Sequence, residues 1–162
     1  MSLSRFDKLL LHLSETTFYI DPASTKYHGS YEGGLRDHSY NVMTNLVTLT
    51  DKLGLKWQDH QSPNIIGIAH DVCKIGSYVS DGNGGYKWNP YQPKGHGEIS
   101  IQRIKEWIDL TEEEELCIRW HMGPYTGEKD WQLYAEAIHK YPNVLWTHTA
   151  DMMATHIDEV RD

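Results

Sequence analysis

Cysteine, long apolar runs and positive charge are all scarce in this sequence. Cys73 and Cys117 are the two cysteines among 162 residues, and their separation fits no paired metal or redox motif. Both lie in an apolar helical context, so we expect them to be reduced packing residues. No stretch reaches the length of a membrane span, and the run Leu9–Leu11 is too short for the core of a signal peptide. We therefore expect a cytoplasmic protein without a membrane partner.

The net charge of −8 argues against bulk, non-specific binding to a nucleic acid backbone. It still allows a small anionic substrate, because a pair of metal ions reverses the local field. The apolar fraction of 39% and the charged fraction of 23% are typical of globular proteins, and we expect residues 1–162 to form a single domain. Six Trp and ten Tyr residues are many for this length, and they are compatible with a homodimer.

Apolar side chains recur at helical spacing through most of the chain, and Gly or Pro residues mark the breaks. We predict an all-α fold, a bundle of six to seven helices with one short β-hairpin. The hairpin strands are expected at Tyr78–Ser80 and Tyr86–Trp88, on either side of Asp81–Gly84. The predicted helices cover residues 3–15, 34–53, 62–74, 96–108, 111 to near 121–123, 130–140 and 143–160.

The single His-Asp pair of the chain, His70-Asp71, lies inside the apolar run Asn64–Cys73. A carboxylate beside an imidazole is costly in such surroundings unless a cation holds both. His38 fits the same interpretation, because it fills a gap in the apolar stripe of the second helix and therefore points inward. A divalent metal ion would account for all three side chains.

Three further candidate ligands, His96, His121 and Asp151, lie at helix ends or inside a helix that faces the core. Each candidate also has an ordinary explanation. A single His on an apolar face is often a packed core residue, His96 can lie near an N-cap, and His121 suits the C-terminal end of a helix dipole. Asp151 can pair with Arg119 or Arg161. The metal hypothesis gains because every candidate sits at an element end or on an inward face.

In their order along the chain, these six residues resemble the ligands of the HD-domain metal-dependent phosphohydrolases. The resemblance covers roughly residues 28–160 and looks closest to small stand-alone HD hydrolases and to the HD domains of 3′→5′ exoribonucleases. The Gly-Tyr-Pro signature of cyclic-dinucleotide phosphodiesterases does not occur. The segments that carry the resemblance are Leu35–His38, Ala69–Gly76, Gly95–Glu98, Trp120–Gly123 and Thr149–Ala154.

This resemblance implies an HD-domain helical bundle with a dinuclear metal site. The shared carboxylate of Asp71 would bridge the two ions. A mixture of His and Asp ligands suits Fe, Mn, Ni, Co or Zn better than Ca or Mg. The first ion would be held by His38, His70, Asp71 and Asp151, and the second by Asp71, His96 and His121.

Two metal ions suit phosphoester hydrolysis, because they clamp a phosphoryl oxygen and supply a metal-bound hydroxide as the attacking group. Asp71 is central to such a site. Lys74, about one turn later, is the candidate for contact with the substrate phosphate. His28 is a candidate proton donor to the leaving oxygen, or a support for the ligands. Lys94 and Arg36 are weaker candidates for phosphate binding, and a surface or loop role is the alternative for each.

The sequence therefore predicts an enzyme, a phosphomonoesterase or phosphodiesterase that acts on a nucleotide or a short oligonucleotide. Two alternatives stay open. Some proteins with the same ligand pattern are mixed-valent diiron oxygenases, and the ligands do not separate the two classes. A non-catalytic, metal-stabilised module that senses a ligand is the other. The remaining histidines are predicted to be non-ligands: His12, His60, His139, His148 and His156.

Overall fold

Helices make up most of the chain in the computed structural model, which describes residues 2–92 and 96–160. The all-α prediction is confirmed, and so is the two-stranded hairpin, in which Tyr78 pairs with Trp88 and Ser80 pairs with Tyr86. None of the described helices is both long and apolar enough to cross a bilayer. The elements are α1 (Arg5–Ser14), α2 (Gly34–Leu53), α3 (Ser62–Ala69), β1 (Tyr78–Ser80), β2 (Tyr86–Trp88), α4 (Gly97–Lys105), α5 (Glu112–Arg119), α6 (Trp131–Lys140) and α7 (Asn143–Met153).

Local sequence signals account for several helix ends. Ser4 caps α1, because its side chain accepts a hydrogen bond from the backbone N–H of Asp7. Thr111 and Glu114 form the reciprocal capping box that opens α5. Gly54 closes α2 with φ of 64°, a left-handed conformation that costs glycine little. These signals fix where the helices start and stop, and the apolar faces then decide how the helices pack.

Helix α2 is the central element of the core and packs against α3 and α7, while α5 contacts α3, α4 and α7. The approach of α3 to α2 is close, because a Cβ atom added at Gly67 would lie 2.3 Å from the Cα atom of Met43. Only glycine fits at that crossing. The fully buried apolar side chains include Leu9, Leu13, Phe18, Leu35, Val42, Leu46, Ile65, Ile66, Ile68, Ile104, Ile118 and Val144.

The third helix ends at Ala69, so the predicted extent to residue 74 is wrong. Asp71 has φ of −109° and ψ of 18°, and a short 3-10 turn follows over Val72–Lys74. The guanidinium of Arg103 donates to the carbonyl groups of Val72, Cys73 and Ile75 at 2.9–3.1 Å. These contacts replace helical hydrogen bonds, so the chain can turn directly after the His-Asp pair.

The last helix also departs from its predicted extent of 143–160. Helix α7 ends at Met153, and a π-helical turn follows over Ala154–Asp158. Its widened spacing is visible in the hydrogen bond of 3.0 Å from the backbone N–H of Glu159 to the carbonyl of Ala154. Single π turns occur often at functional sites, and this one decides where Glu159 points.

Candidate metal centre

Four of the predicted ligands converge in the interior where α2, the end of α3 and α7 meet. The Nε2 atom of His38 lies 3.3 Å from the Nε2 atom of His70 and 3.1 Å from an Asp151 carboxylate oxygen. The Oδ2 atom of Asp71 is 3.5 Å from the Nε2 atoms of both histidines. Ligand atoms bound to one transition-metal ion at about 2.1 Å lie roughly 3.0–3.4 Å apart. The ligand atoms of His38, His70 and Asp71 all lie within 4.8 Å of one another and could hold one metal ion. Asp151 borders these three residues, 3.1 Å from His38 Nε2 and 3.9 Å from His70 Nε2, and the four residues are called the first ligand group.

Hydrogen bonds from the outer ring nitrogens aim three histidines at the site. The Nδ1 atom of His70 lies 2.8 Å from the carbonyl of Gly67, and that of His121 lies 2.7 Å from the carbonyl of Ile118. In His38 the Nδ1 atom is 3.0 Å from a Glu159 carboxylate oxygen. Carbonyl and carboxylate groups accept here, so Nδ1 is the donor in each ring. The Nε2 atoms are left to bind a metal ion, which is the usual support for metal-binding histidines.

A second ligand group lies on the other side of the same carboxylate. The Oδ1 atom of Asp71 is 3.2 Å from the Nε2 atom of His121, and a nitrogen of His96 lies within 4.8 Å of both residues' ligand atoms. Asp71 thus presents Oδ2 to the first group and Oδ1 to the second. Although they are close, Asp71 Oδ1 and His121 Nε2 make no hydrogen bond of normal geometry within the described part of the chain, and both atoms are buried.

The close packing of α4 on α5 brings His96 next to His121. His96 immediately precedes α4, and His121 follows the last residues of α5. A Cβ atom added at Gly97 would lie 2.3 Å from the carbonyl oxygen of Arg119, so only glycine allows this approach. The ring centroids of His96 and His121 are 6.3 Å apart. His96 is exposed while His121 is fully buried, so the second group faces the outside and the first group does not.

The two carboxylates stay ionised in this buried setting. Burial alone would raise the pKa of Asp71, but the charges of Lys74 and His70 hold that pKa well below its usual value. Burial also opposes ionisation of Asp151, but the hydrogen bond from His38 and the charges of His70 and His38 lower the pKa of Asp151. Metal ligands must be deprotonated, and both carboxylates meet that requirement.

Lys74 lies beside the carboxylate of Asp71. Its Nζ atom is 2.9 Å from the Oδ2 atom of Asp71, and its side chain is 11% exposed. Burial lowers the pKa of Lys74, but the negative charge of Asp71 outweighs burial and raises that pKa above its usual value. The ammonium group is therefore a permanent positive charge at the edge of the site.

Glu159 is a site residue that the sequence analysis missed. Its side chain is 7% exposed and accepts a hydrogen bond from His38. Burial lowers the pKa of His38, but the hydrogen bonds to Asp151 and Glu159 raise it to about 9. A glutamate near the end of the predicted last helix carries no sequence signal for such a role. Only the π turn after Met153 directs it inward.

His28 lies on the Glu159 side of His38, with the two ring centroids 4.6 Å apart. Its Nε2 atom is buried without a hydrogen-bond partner in the described residues. Burial and the nearby charge of His38 lower the pKa of His28 to about 4. The ring is therefore neutral near pH 7, which suits support of His38 better than donation of a proton. The role of His28 as a proton donor stays a prediction.

A cavity of about 470 Å³ opens beside the second ligand group. Lys74, His96 and the hairpin residues Tyr78 and Trp88 are among the residues that line it. Cys73 also faces this space, with its Sγ atom 3.9 Å from the Nδ1 atom of His96. Burial raises the pKa of the Cys73 thiol to about 12, so it stays protonated, as expected for an unreactive cysteine.

Of the weaker phosphate-binding candidates, Arg36 pairs with the carboxylate of Asp37, 2.8 Å away. Lys94 lies outside the described residues. The alternative prediction that Asp151 pairs with Arg119 is wrong, because the Arg119 guanidinium pairs with Glu98 at 3.0 Å. The histidines predicted as non-ligands belong to neither group among the residues described.

The donor set therefore fits one or two transition-metal ions: buried imidazoles with oriented Nε2 atoms, ionised carboxylates and two orphaned buried atoms. Comparison with protein-family models, curated proteins and solved structures gives no match. The likeness of the motifs to HD-domain enzymes thus remains a prediction, and the chemistry must be inferred from the site itself.

Proposed function

We propose that this chain is an HD-type, metal-dependent phosphohydrolase that cleaves a phosphoester of a nucleotide or a short oligonucleotide. The main observation in support is that the two oxygens of the Asp71 carboxylate lie near different histidines. Oδ2 lies near His38 and His70, and Oδ1 lies near His121. A bridging carboxylate with a histidine-rich ligand set on each side is the arrangement required for two adjacent metal ions. Bound metal ions would neutralise the phosphate and lower the pKa of the attacking water.

The residues of the chain supply positioning and charge in this proposal. The Lys74 ammonium group faces the cavity and stays protonated, so it can bind a phosphate oxygen as a point charge. The exposed ring of His96 marks the side from which a substrate can approach, while the first ligand group is shielded by the core. The net charge of −8 favours a small phosphorylated substrate, because a long polyanion would meet repulsion outside the site.

The experiment that tests this function combines metal analysis with a phosphoester screen. Protein purified without chelator is analysed for metal content, reloaded singly with Mn, Fe, Co, Ni or Zn, and assayed on nucleoside monophosphates, cyclic dinucleotides and dinucleotides. We expect phosphate or nucleoside release that a chelator abolishes. Lys74→Gln should lower the turnover by about 100-fold with the metal content kept, while Lys87→Gln, on an exposed hairpin position, should not.

Two results would contradict the proposal. Metal-loaded protein that releases no product from any of these phosphoesters would remove the hydrolase assignment. Protein that retains iron, changes its absorption spectrum between air and reductant, and consumes oxygen would instead indicate a diiron oxygenase.

A further inference from the structure

The cavity beside the second ligand group is lined by two chemically different sets of side chains. One set is Lys74 and His96, and the Lys74 ammonium lies 2.9 Å from the Asp71 carboxylate. The other set is the aromatic rings of Tyr78 and Trp88. The catalytic proposal uses the first set alone, so the aromatic rings have no assigned role.

The hairpin holds these two rings as a preformed pair. Tyr78 and Trp88 are directly opposite in the antiparallel register, and their centroids are 5.8 Å apart at an interplanar angle of 79°. The base of the hairpin is fixed, because the backbone N–H of Asn89 donates to the carbonyl of Ser77 at 2.8 Å. An aromatic pair fixed in this way loses little side-chain freedom when a ligand binds.

The neighbouring register pair provides a contrast. Val79 lies opposite Lys87, and successive residues of a strand point to opposite faces of the sheet. Both side chains are exposed, and neither lines the cavity. The face of the hairpin that carries Tyr78 and Trp88 therefore lines the cavity together with Lys74, and the face that carries Val79 and Lys87 is turned away.

The charge of the lining limits what can bind. Among the described residues that line the cavity, Lys74 is the one permanently charged side chain, and none is a carboxylate. Thr25 and Ser77 add hydroxyl groups. A ligand that matches this lining carries one anionic group for Lys74 and a flat, uncharged ring for the aromatic side chains. Further phosphates would find no basic partner among these residues.

The size of the cavity agrees with one such unit. A volume of about 470 Å³ lies in the range of small-molecule sites and suits a ligand the size of a mononucleotide. Aromatic side chains stack on any base without reading its edges, so the ring can be recognised without sequence selection.

We propose that Tyr78 and Trp88 form the specificity site for a planar, aromatic ring of the substrate, while Lys74 and His96 face its phosphate. This inference rests on the proposed phosphohydrolase function and narrows its substrate to a mononucleotide-sized phosphoester with a ring. The two hairpin residues act in binding and discrimination, and the bond cleavage itself lies with the candidate metal ligands and Lys74.

The test compares two phosphomonoesters on the metal-loaded protein: adenosine 5′-monophosphate, and ribose 5-phosphate, which lacks the ring. We expect kcat/KM for adenosine 5′-monophosphate to exceed that for ribose 5-phosphate by at least about tenfold, the contribution of one stacked ring. Trp88→Ala should raise KM for adenosine 5′-monophosphate about tenfold, leave kcat nearly unchanged and leave both constants for ribose 5-phosphate unaltered. Trp88→Phe should retain most of the preference.

Val79→Ala is the matched control, because it truncates the opposite face of the same hairpin and should keep the wild-type preference. If the ratio of kcat/KM between adenosine 5′-monophosphate and ribose 5-phosphate is unchanged in Trp88→Ala, the proposal of a ring site is contradicted. Ribose 5-phosphate activity in that variant shows that the fold and the metal centre are intact.

A binding measurement separates this inference from the proposed function. Calorimetry with the phosphonate analogue of adenosine 5′-monophosphate, in which carbon replaces the ester oxygen, needs no turnover. If Trp88→Ala weakens binding of this analogue about tenfold, the ring site is supported even when no ester is cleaved. Weakened binding together with a lack of ester cleavage would contradict the hydrolase assignment alone. Equal binding by wild-type protein and Trp88→Ala would contradict the ring site alone.

Discussion

Two buried carboxylates in the same helical core, Glu114 and Asp71, differ in how their charges are satisfied. Both oxygens of Glu114 are fully partnered: the Arg5 guanidinium donates to each at 2.8 Å, Ser62 donates to one, and the backbone of Thr111 donates to the other. The Oδ1 atom of Asp71 is buried without a normal hydrogen bond among the described residues.

The surroundings of the two carboxylates explain the contrast. Glu114 is neutralised by protein groups that tie α1, α3 and α5 together, so its charge stabilises the fold. Of the two Asp71 oxygens, Oδ2 pairs with the Lys74 ammonium at 2.9 Å, whereas Oδ1 lies 3.2 Å from His121 Nε2 without a hydrogen bond of normal geometry among the described residues. A buried carboxylate oxygen that lacks a donor indicates that another group completes it. The comparison therefore separates a structural carboxylate from a ligand-binding one.

The largest effects are expected when Asp71 and Glu114 are substituted one at a time. Asp71→Asn should abolish binding of both metal ions, because the neutral amide removes the shared bridging ligand. Glu114→Ala should retain the metal ions but lower the free energy of unfolding by about 3 kcal/mol, because Arg5 and the start of α5 lose their partner. Metal analysis and chemical denaturation check the pair. Loss of metal from a Glu114 variant that is still folded would contradict the distinction between Glu114 as a structural carboxylate and Asp71 as a metal-binding one.

A smaller change should remove one ion and leave the other. Gly97→Ala places a methyl group against the Arg119 carbonyl, so α4 must shift and carry His96 away from His121. We expect a stability loss of about 1–3 kcal/mol and a metal stoichiometry that falls from two toward one. Gln102→Ala on the exposed face of α4 is the control. Retention of both ions in the Gly97 variant would show that His96 is not needed.

Loss of the Glu159 carboxylate that orients His38 should weaken metal binding by the first ligand group without abolishing it. Glu159→Ala removes the acceptor that orients His38, and such outer partners typically contribute about 10–100-fold in metal affinity. Glu159→Gln, which keeps an acceptor oxygen, should restore most of the affinity. Glu136→Ala, at an exposed position of α6, should have no effect. Chelator competition measures all three, and equal affinity in Glu159→Ala would remove Glu159 from the site.

Metal binding should also depend on pH, by a smaller step for each pH unit than the larger losses expected from the substitutions. In the metal-free protein the pKa of His38 is raised to about 9, above its ordinary value of 6.5. Protonated His38 therefore stabilises the metal-free fold fully below about pH 6.5, and this contribution is lost as the pH rises through 9. A metal ion must displace that proton, so affinity should rise by about tenfold per pH unit up to pH 9 and then level off. Titrations between pH 7 and 10 that show constant affinity would contradict this.

The features of the site that sequence reasoning predicted share a simple signal. His38 interrupts an apolar helix stripe, and His70-Asp71 lies in an apolar run, so burial of polar groups was readable from pattern alone. The helix boundaries mostly follow from caps and glycines and agree within a few residues, except in α3 and α7.

The features that sequence reasoning missed depend on contacts across the fold. The break after Ala69 is held by Arg103, whose distant carbonyl partners leave no local pattern. The inward turn of Glu159 depends on one π turn. The aromatic face of the hairpin follows from which side of β1 and β2 meets Lys74, a fact of tertiary packing. Periodicity reports burial, but it does not report which distant groups meet.

Anomalous diffraction from crystals of the metal-loaded protein, recorded at the absorption edge of the bound metal, tests the central claim most directly. We expect two peaks roughly 3.5–4 Å apart, one on each side of the Asp71 carboxylate, the first among His38, His70 and Asp151 and the second beside His96 and His121. A single peak, or a second peak away from Asp71, would contradict it.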